Sequence, residues 1–181
     1  MKCFVWRVPY STDRFTDGTS MFEFVRDELL NKKILRQGWG VEDLRNGQNA
    51  YVERERSKGN TNYQEAVNRF NILKPMLDIE VGDRIVIPKL SLRDSESIPG
   101  KYFTVVVCTK VYDFYFPYIR DWDFSHFIEV DWSKEKDSTY DNNAQPYISE
   151  QLKDYGKAIN RVRNTNLTNA VKALMPELTR Q

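Results

Sequence analysis

Between Ile79 and Trp132 the chain runs IEVGDRIVIPKL, KYFTVVVCTKVYDFYF and FSHFIEVDW, three segments rich in β-branched and aromatic residues and separated by polar stretches. Gly82 and Asp83 form the corner into the first segment, and SLRDSESIPGK is a loop between the first and second. Strand signals in series commit the middle of the chain to meander pairing. In the last segment Phe124, His126, Ile128 and Val130 alternate with Ser125, Phe127, Glu129 and Asp131, and the first set is the more apolar face.

The flanking segments supply further strands and helices. KCFVWRV, residues 2–8, predicts a strand closed by Pro9, and Ile34–Trp39 predicts a second. Met21, Phe22, Val25, Leu29 and Leu30 recur at helical spacing behind Thr19 and Ser20, either of which can cap the first turn. Tyr63, Ala66, Val67, Phe70 and Leu73 trace a helix that starts near Asn62 and ends at Pro75. Residues Val41 to Asn60 form a polar, charged loop with few apolar anchors. After the polar linker SKEKDSTYDNNAQP, Ile148, Leu152, Tyr155, Ile159 and Val162 predict a helical stripe, continued by Leu167, Ala170, Val171 and Leu174. The expected fold is therefore α+β: a curved mixed sheet or partial barrel flanked by helices, with a C-terminal helical extension.

With 181 residues, 40% of them hydrophobic, the chain is long enough to bury one respectable core and too short for two full domains, so one domain is expected. A formal charge of +1 gives no global sign of a nucleic-acid binder, so any such function must rest on local charge. The region from Thr109 to Asp141 is acid-rich, whereas Lys32, Lys33, Arg36, Arg54, Arg56 and Lys58 lean basic. Cys3 and Cys108 both sit in apolar, β-branched surroundings, as expected of buried thiols in a reducing compartment, and a cytoplasmic location follows. Two cysteines and one histidine are too few for a zinc site. MKCFVWRVPY is too short an apolar run for a signal peptide or a membrane span. No Walker loop, GxGxxG, HExxH or acidic-x-Lys nuclease motif occurs, and His126 lies inside a strand pattern. No catalytic residue, metal or cofactor is therefore expected.

What the chain does offer is aromatic residues where a core does not require them. Trp39 stands between Gly38 and Gly40, where glycine lets backbone approach a ligand closely. Trp122 sits among charges in RDWDF, and Tyr112, Phe114, Tyr115, Phe116 and Tyr118 crowd one strand segment. Two indole faces on neighbouring loops can sandwich a base.

The order FVWRV, QGWG, YQEAVNRF, VGDRIVIP, FTVVVCTKVYDF and RDWDFSHFIEVDW resembles the PUA-like superfamily of modified-base readers. The likeness is to EVE and YTH domains and to the EVE-like module that opens many Mrr-type restriction enzymes, and it covers residues 2 to 133. It implies a domain over residues 1–133, followed by a linker and helical extension over 134–181 packed on it. It further implies a pocket that takes a flipped-out, methylated base between aromatic walls, in DNA rather than RNA, in restriction or phage defence. On this resemblance Trp39 and Trp122 are the two walls, beside Gly38, Gly40 and Tyr115. Asn60 and Asn62 would read the base edge, and Arg36, Arg54, Arg56, Lys58 and Lys89 would contact phosphates. Cleavage would need a separate nuclease or effector protein. The rival expectations are an oligomerisation or protein-interaction adaptor working through the terminal helix, and an enzyme acting on a small modified nucleotide.

Overall fold

The computed structural model describes residues 1–40, 42–59, 61–92, 100–115, 124–132 and 138–174. Its strands are β1 (Cys3–Trp6), β2 (Ile34–Gln37), β3 (Arg84–Pro88), β4 (Tyr102–Phe114), β5 (His126–Asp131), β6 (Thr139–Asp141) and β7 (Ile159–Arg161). Its α-helices are α1 (Met21–Lys32), α2 (Gly47–Ser57), α3 (Tyr63–Leu73), α4 (Pro146–Leu152) and α5 (Thr165–Leu174). The architecture is α+β around a mixed sheet in the order β2-β5-β4-β3-β1-β7, with β6 paired to β4 beside that path. β3, β4 and β5 form the expected antiparallel meander, and β1 joins it in parallel with β3.

All four residues of β1 are buried, because both of its faces are covered. Phe4 and Trp6 face a core shared with Leu35, Ile85, Ile87, Val106, Ile128 and helices α1 and α3. Cys3 and Val5 face a second core that α4 and α5 close with Ile148, Leu152, Leu167 and Val171. The apolar stripe expected of the C-terminal region thus lies on the chain's own sheet. Burial pushes the Cys3 and Cys108 thiols up to about 12, which leaves both protonated at neutral pH.

The sheet is strongly curled without closing into a barrel ladder. β1 lies four places from β2 in the strand order, a separation of roughly 19 Å in a flat sheet at ordinary strand spacing. Yet Trp6 Nε1 donates to the Arg36 carbonyl at 3.3 Å, and Gln37 Nε2 donates to the Arg7 carbonyl at 2.6 Å. Side-chain bonds therefore bridge the ends of the curl in place of a ladder. The bend enters through β4, whose first half pairs with β3 and β6 and whose second half pairs with β5 across register shifts between Cys108, Lys110 and Asp113.

Three expectations are corrected. The segment taken as a polar loop holds a 3-10 turn at Leu44–Asn46 and then α2, anchored by buried Leu44, Tyr51 and Val52. Only two apolar residues mark the inner face of α2. A third inward position is Glu55, fully buried and paired with Arg69 of α3 at 3.1 Å and with Lys58 at 2.7 Å. In the C-terminal region the continuous helical stripe is broken: Ile159 belongs to β7, which pairs with β1. The physical reason is Arg7, whose guanidinium donates to the carbonyls of Leu152 at 2.9 Å and of Tyr155, satisfying the end of α4. The Arg7 amide then takes the Ala158 carbonyl at 2.8 Å and steers the chain into the sheet. The stripe of α3 is also narrower than its spacing suggests, since Tyr63 is exposed while Ala66, Phe70 and Leu73 are buried.

Candidate functional site

β2 and β4 run in the same direction on either side of β5, and all three reach their ends together: His126 opposes Gln37 on one side and Phe114 on the other. Residues 38–40, Tyr115 and Phe124–Ser125 therefore meet at one rim of the sheet, and the Tyr115 amide donates to the Ser125 carbonyl at 3.1 Å. Both chains that leave the β2–β5 ladder here do so through a left-handed aromatic residue, Trp39 at φ 65° and Phe124 at φ 64°. For a non-glycine residue that conformation costs roughly 1–2 kcal/mol, and bulky residues rarely adopt it.

Trp39 is held there from α2. The Tyr51 hydroxyl donates to the Trp39 carbonyl, while the indole above remains 41% exposed. Gly40 follows at φ 136°, and a Cβ at that position would lie 2.7 Å from the Tyr51 ring. The two glycines flanking Trp39 are buried, and at Gly40 the missing side chain makes room for Tyr51 and not for a ligand. Gly40→Ala is expected to lower stability by about 1–3 kcal/mol through strain and the displaced tyrosine. Urea unfolding measures this, and a parental midpoint would show that the ring yields freely.

Beneath this rim lies an aromatic nest around His126, whose ring centroid is 5.3 Å from that of Phe114, 6.0 Å from that of Tyr112 and 6.5 Å from that of Tyr51. Tyr112 Oη lies 2.9 Å from His126 Nδ1 and accepts the Leu44 amide at 3.1 Å. Burial pushes the imidazole down to about 3, opposed by the carboxylate of Asp43 and the Trp39 carbonyl, so the ring is neutral at physiological pH. Burial raises Asp43, but the hydrogen bonds and the charge of Arg45 outweigh it and hold that carboxylate below its ordinary value. Burial also raises the Tyr112 hydroxyl, which stays protonated. A neutral imidazole in an aromatic box can make hydrogen bonds but is a poor proton carrier at pH 7.

The structure brings Trp39, Gly38, Gly40 and Tyr115 to this rim; Tyr115 is exposed. Trp122 and Asn60 lie outside the described residues. Asn62 is exposed, and its side-chain oxygen accepts the Glu65 amide at 2.9 Å as the cap of α3. Arg36 is corrected from a phosphate contact to an internal ion pair: it is buried, donates to Glu28 at 2.9 Å and to the Phe124 carbonyl at 3.1 Å, and covers the Phe127 ring. Arg54 and Arg56 are exposed on α2, while Lys58 pairs with Glu55. Lys89 follows β3 at the end of β4 remote from Phe114, with its ammonium 5.9 Å from the Tyr10 ring centroid, and is not part of this rim. Ser125, Tyr51 and Asp43 are members of the site that no sequence signal distinguished, and His126 was legible only as an inward strand position.

Among the described residues there is no group of three or more His, Cys, Asp or Glu side chains that could hold a metal ion, and no helix is long and apolar enough to cross a membrane. No protein-family model matches the chain, and no curated protein matches it.

Proposed function

We propose that this chain is a PUA-like, non-catalytic reader of nucleic acid that stacks a flipped-out, methylated base on Trp39, in DNA in preference to RNA. The observation that carries the proposal is Trp39 itself: a large apolar ring, 41% exposed, held on a left-handed backbone by a dedicated hydrogen bond from Tyr51. Exposure forfeits the gain from burying the indole, and the backbone strain adds a further cost. Neither serves folding. Both make sense if the indole face meets a planar partner.

Extruding a base costs a few kcal/mol of lost stacking, and a replacement stack on an aromatic side chain returns about 1–3 kcal/mol. A methyl group adds apolar contact against the ring. Arg54 and Arg56 lie on α2, the helix that positions Trp39, and would engage the flanking phosphates. With a formal charge of only +1 the binding would be modest and strongly weakened by salt.

Trp39→Ala is expected to abolish discrimination between methylated and unmodified oligonucleotides in a fluorescence anisotropy titration. The thermal midpoint should stay within about 3 °C of the parent, because the lost side chain is half outside the core. Retained discrimination, or collapse of the fold, would remove Trp39 from any binding role.

A further inference from the structure

Trp39 does not hold its own conformation. Its left-handed backbone, at φ 65°, is fixed by the Tyr51 hydroxyl, which donates to the Trp39 carbonyl. The next residue, Gly40, has no side chain, and the Tyr51 ring lies 2.7 Å from where its Cβ would be. Tyr51 is completely buried and belongs to α2, so it reaches the rim only while that helix is docked. The placement of the exposed indole is therefore set by a helix outside the sheet.

The seam that docks α2 is short. It faces α3, where the Tyr51 ring centroid lies 5.6 Å from that of Phe70 and, one turn further along α2, Glu55 pairs with Arg69 at 3.1 Å. Residues four apart share a helix face, so both contacts come from one side of α2 and meet adjacent residues of α3. Arg69 is itself held by Glu65 at 2.7 Å and Thr61 at 3.3 Å. Besides Tyr51 and Glu55 only Val52 of α2 is buried, and the N-cap residue Asn46 makes no side-chain cap bond. Gly47 at φ 86° and Gly59 at φ 82° bracket the helix. Elements with few buried apolar contacts are those that open locally, and hinges sit at element ends whose residues can absorb a change of φ.

We infer that α2 is a hinged latch that controls the presentation of Trp39. Docked on α3, it delivers the Tyr51 hydroxyl and keeps the indole on its left-handed backbone. Undocked, it withdraws that donor, and residue 39 relaxes to the extended backbone that a non-glycine residue prefers. Glu55 and Arg69 are positioning residues that act on Trp39 through Tyr51. A ligand that stacks on the presented indole binds the docked state more tightly and draws α2 onto α3, and by reciprocity a change that loosens the seam weakens that ligand. The statement about a ligand rests on the base-reading function proposed above, whereas the latch itself does not.

The test labels the protein with fluorotryptophan, so that each indole gives its own fluorine resonance, assigned from the line lost in Trp6→Phe, Trp39→Phe and Trp132→Phe. The parent, Tyr51→Phe and Glu55→Gln are compared without ligand. Tyr51→Phe keeps the ring beside Gly40 and Phe70 and removes only the hydroxyl, while Glu55→Gln keeps the volume and removes the charge that pairs with Arg69. Both are expected to shift or broaden the Trp39 line and leave the Trp6 and Trp132 lines in place. Amide exchange over residues 47–57 should rise roughly fivefold in Glu55→Gln. Anisotropy titrations then use single-stranded oligonucleotides carrying one carbon-methylated cytosine or one N-methylated adenine, and whichever is bound should bind both variants roughly tenfold more weakly although the indole is still present. An unmoved Trp39 line in either variant, unchanged exchange, or Trp6 and Trp132 lines that move as far as that of Trp39 overturns the latch. Should Glu55→Gln not fold, Tyr51→Phe decides by its fluorine lines. Trp39-dependent binding that neither variant weakens also overturns the latch and leaves the base-reading function standing. Absence of any Trp39-dependent binding, with the fluorine lines moving as expected, overturns that function and upholds the latch.

Discussion

Trp6→Ala is expected to lower the unfolding free energy by about 3–5 kcal/mol. Trp6 is completely buried and is among the largest side chains so placed. Its ring fills the interior of the curled sheet beside Phe4 and Leu35, and its Nε1 bridges to the Arg36 carbonyl at 3.3 Å. Truncation would open a cavity and leave that carbonyl without its indole donor. Single domains are stable by about 5–15 kcal/mol, so a large part of the margin would go. Trp6→Phe keeps an aromatic filler and loses the bridge, and its cost should be nearer 1–2 kcal/mol. Urea unfolding of both variants checks the ordering. A loss below about 1 kcal/mol for the alanine variant would mean that the two ends of the curl do not depend on this residue.

Glu28→Ala should cost about 3–5 kcal/mol, because it strips the counter-ion from a buried guanidinium. The Glu28 and Arg36 side chains are only 9% and 7% exposed, and lie 2.9 Å apart. Arg36 would keep the Phe124 carbonyl and the face of Phe127, neither of which carries a compensating charge. The same pair predicts an acid-sensitive fold. Burial raises the Glu28 carboxyl, but hydrogen bonds from Lys32 and Arg36 outweigh it and hold the group below its usual 4.5. A folded-state value below the unfolded one means that the pair's stabilisation is complete above the unfolded value and is lost as pH falls through the folded one. Stability should therefore be flat near neutrality and decline below about pH 4.5. Glu28→Gln should flatten that acid limb, measured as urea midpoints from pH 3 to 7. An unchanged limb would assign the acid sensitivity to other carboxylates.

Much of the candidate site was legible before the fold, for reasons that differ by residue. Trp39 stood out because an indole between two glycines has no ordinary place in a strand, and it is exposed. The role given to its neighbours was different: Gly40 accommodates Tyr51, a residue from a helix that polar composition disguised as a loop. Alternation along β5 placed His126 inside correctly. Alternation could not place Ser125, because the left-handed turn at Phe124 breaks the period just before the strand begins. Arg36 was counted with the exposed cations because charge in a sequence does not say which way a side chain faces. Its partner Glu28 lies on the preceding helix.

The sequence alone determined the strands and the helices with clean periodicity: the meander from β3 to β5, β1, the capped α1 and the stripe of α3. In each, the apolar spacing matches one backbone period and a neighbouring turn or cap ends it, so local physics suffices. Tertiary structure decided where α4 stops, that Ile159 becomes a strand, that a polar segment folds as α2, and that two strand ends four places apart meet through Trp6 and Gln37. Each of those outcomes depends on a partner distant in the chain, Arg7 for α4, β1 for Ile159, α3 for Glu55 and Arg36 for Trp6. No pattern confined to one segment records that partner.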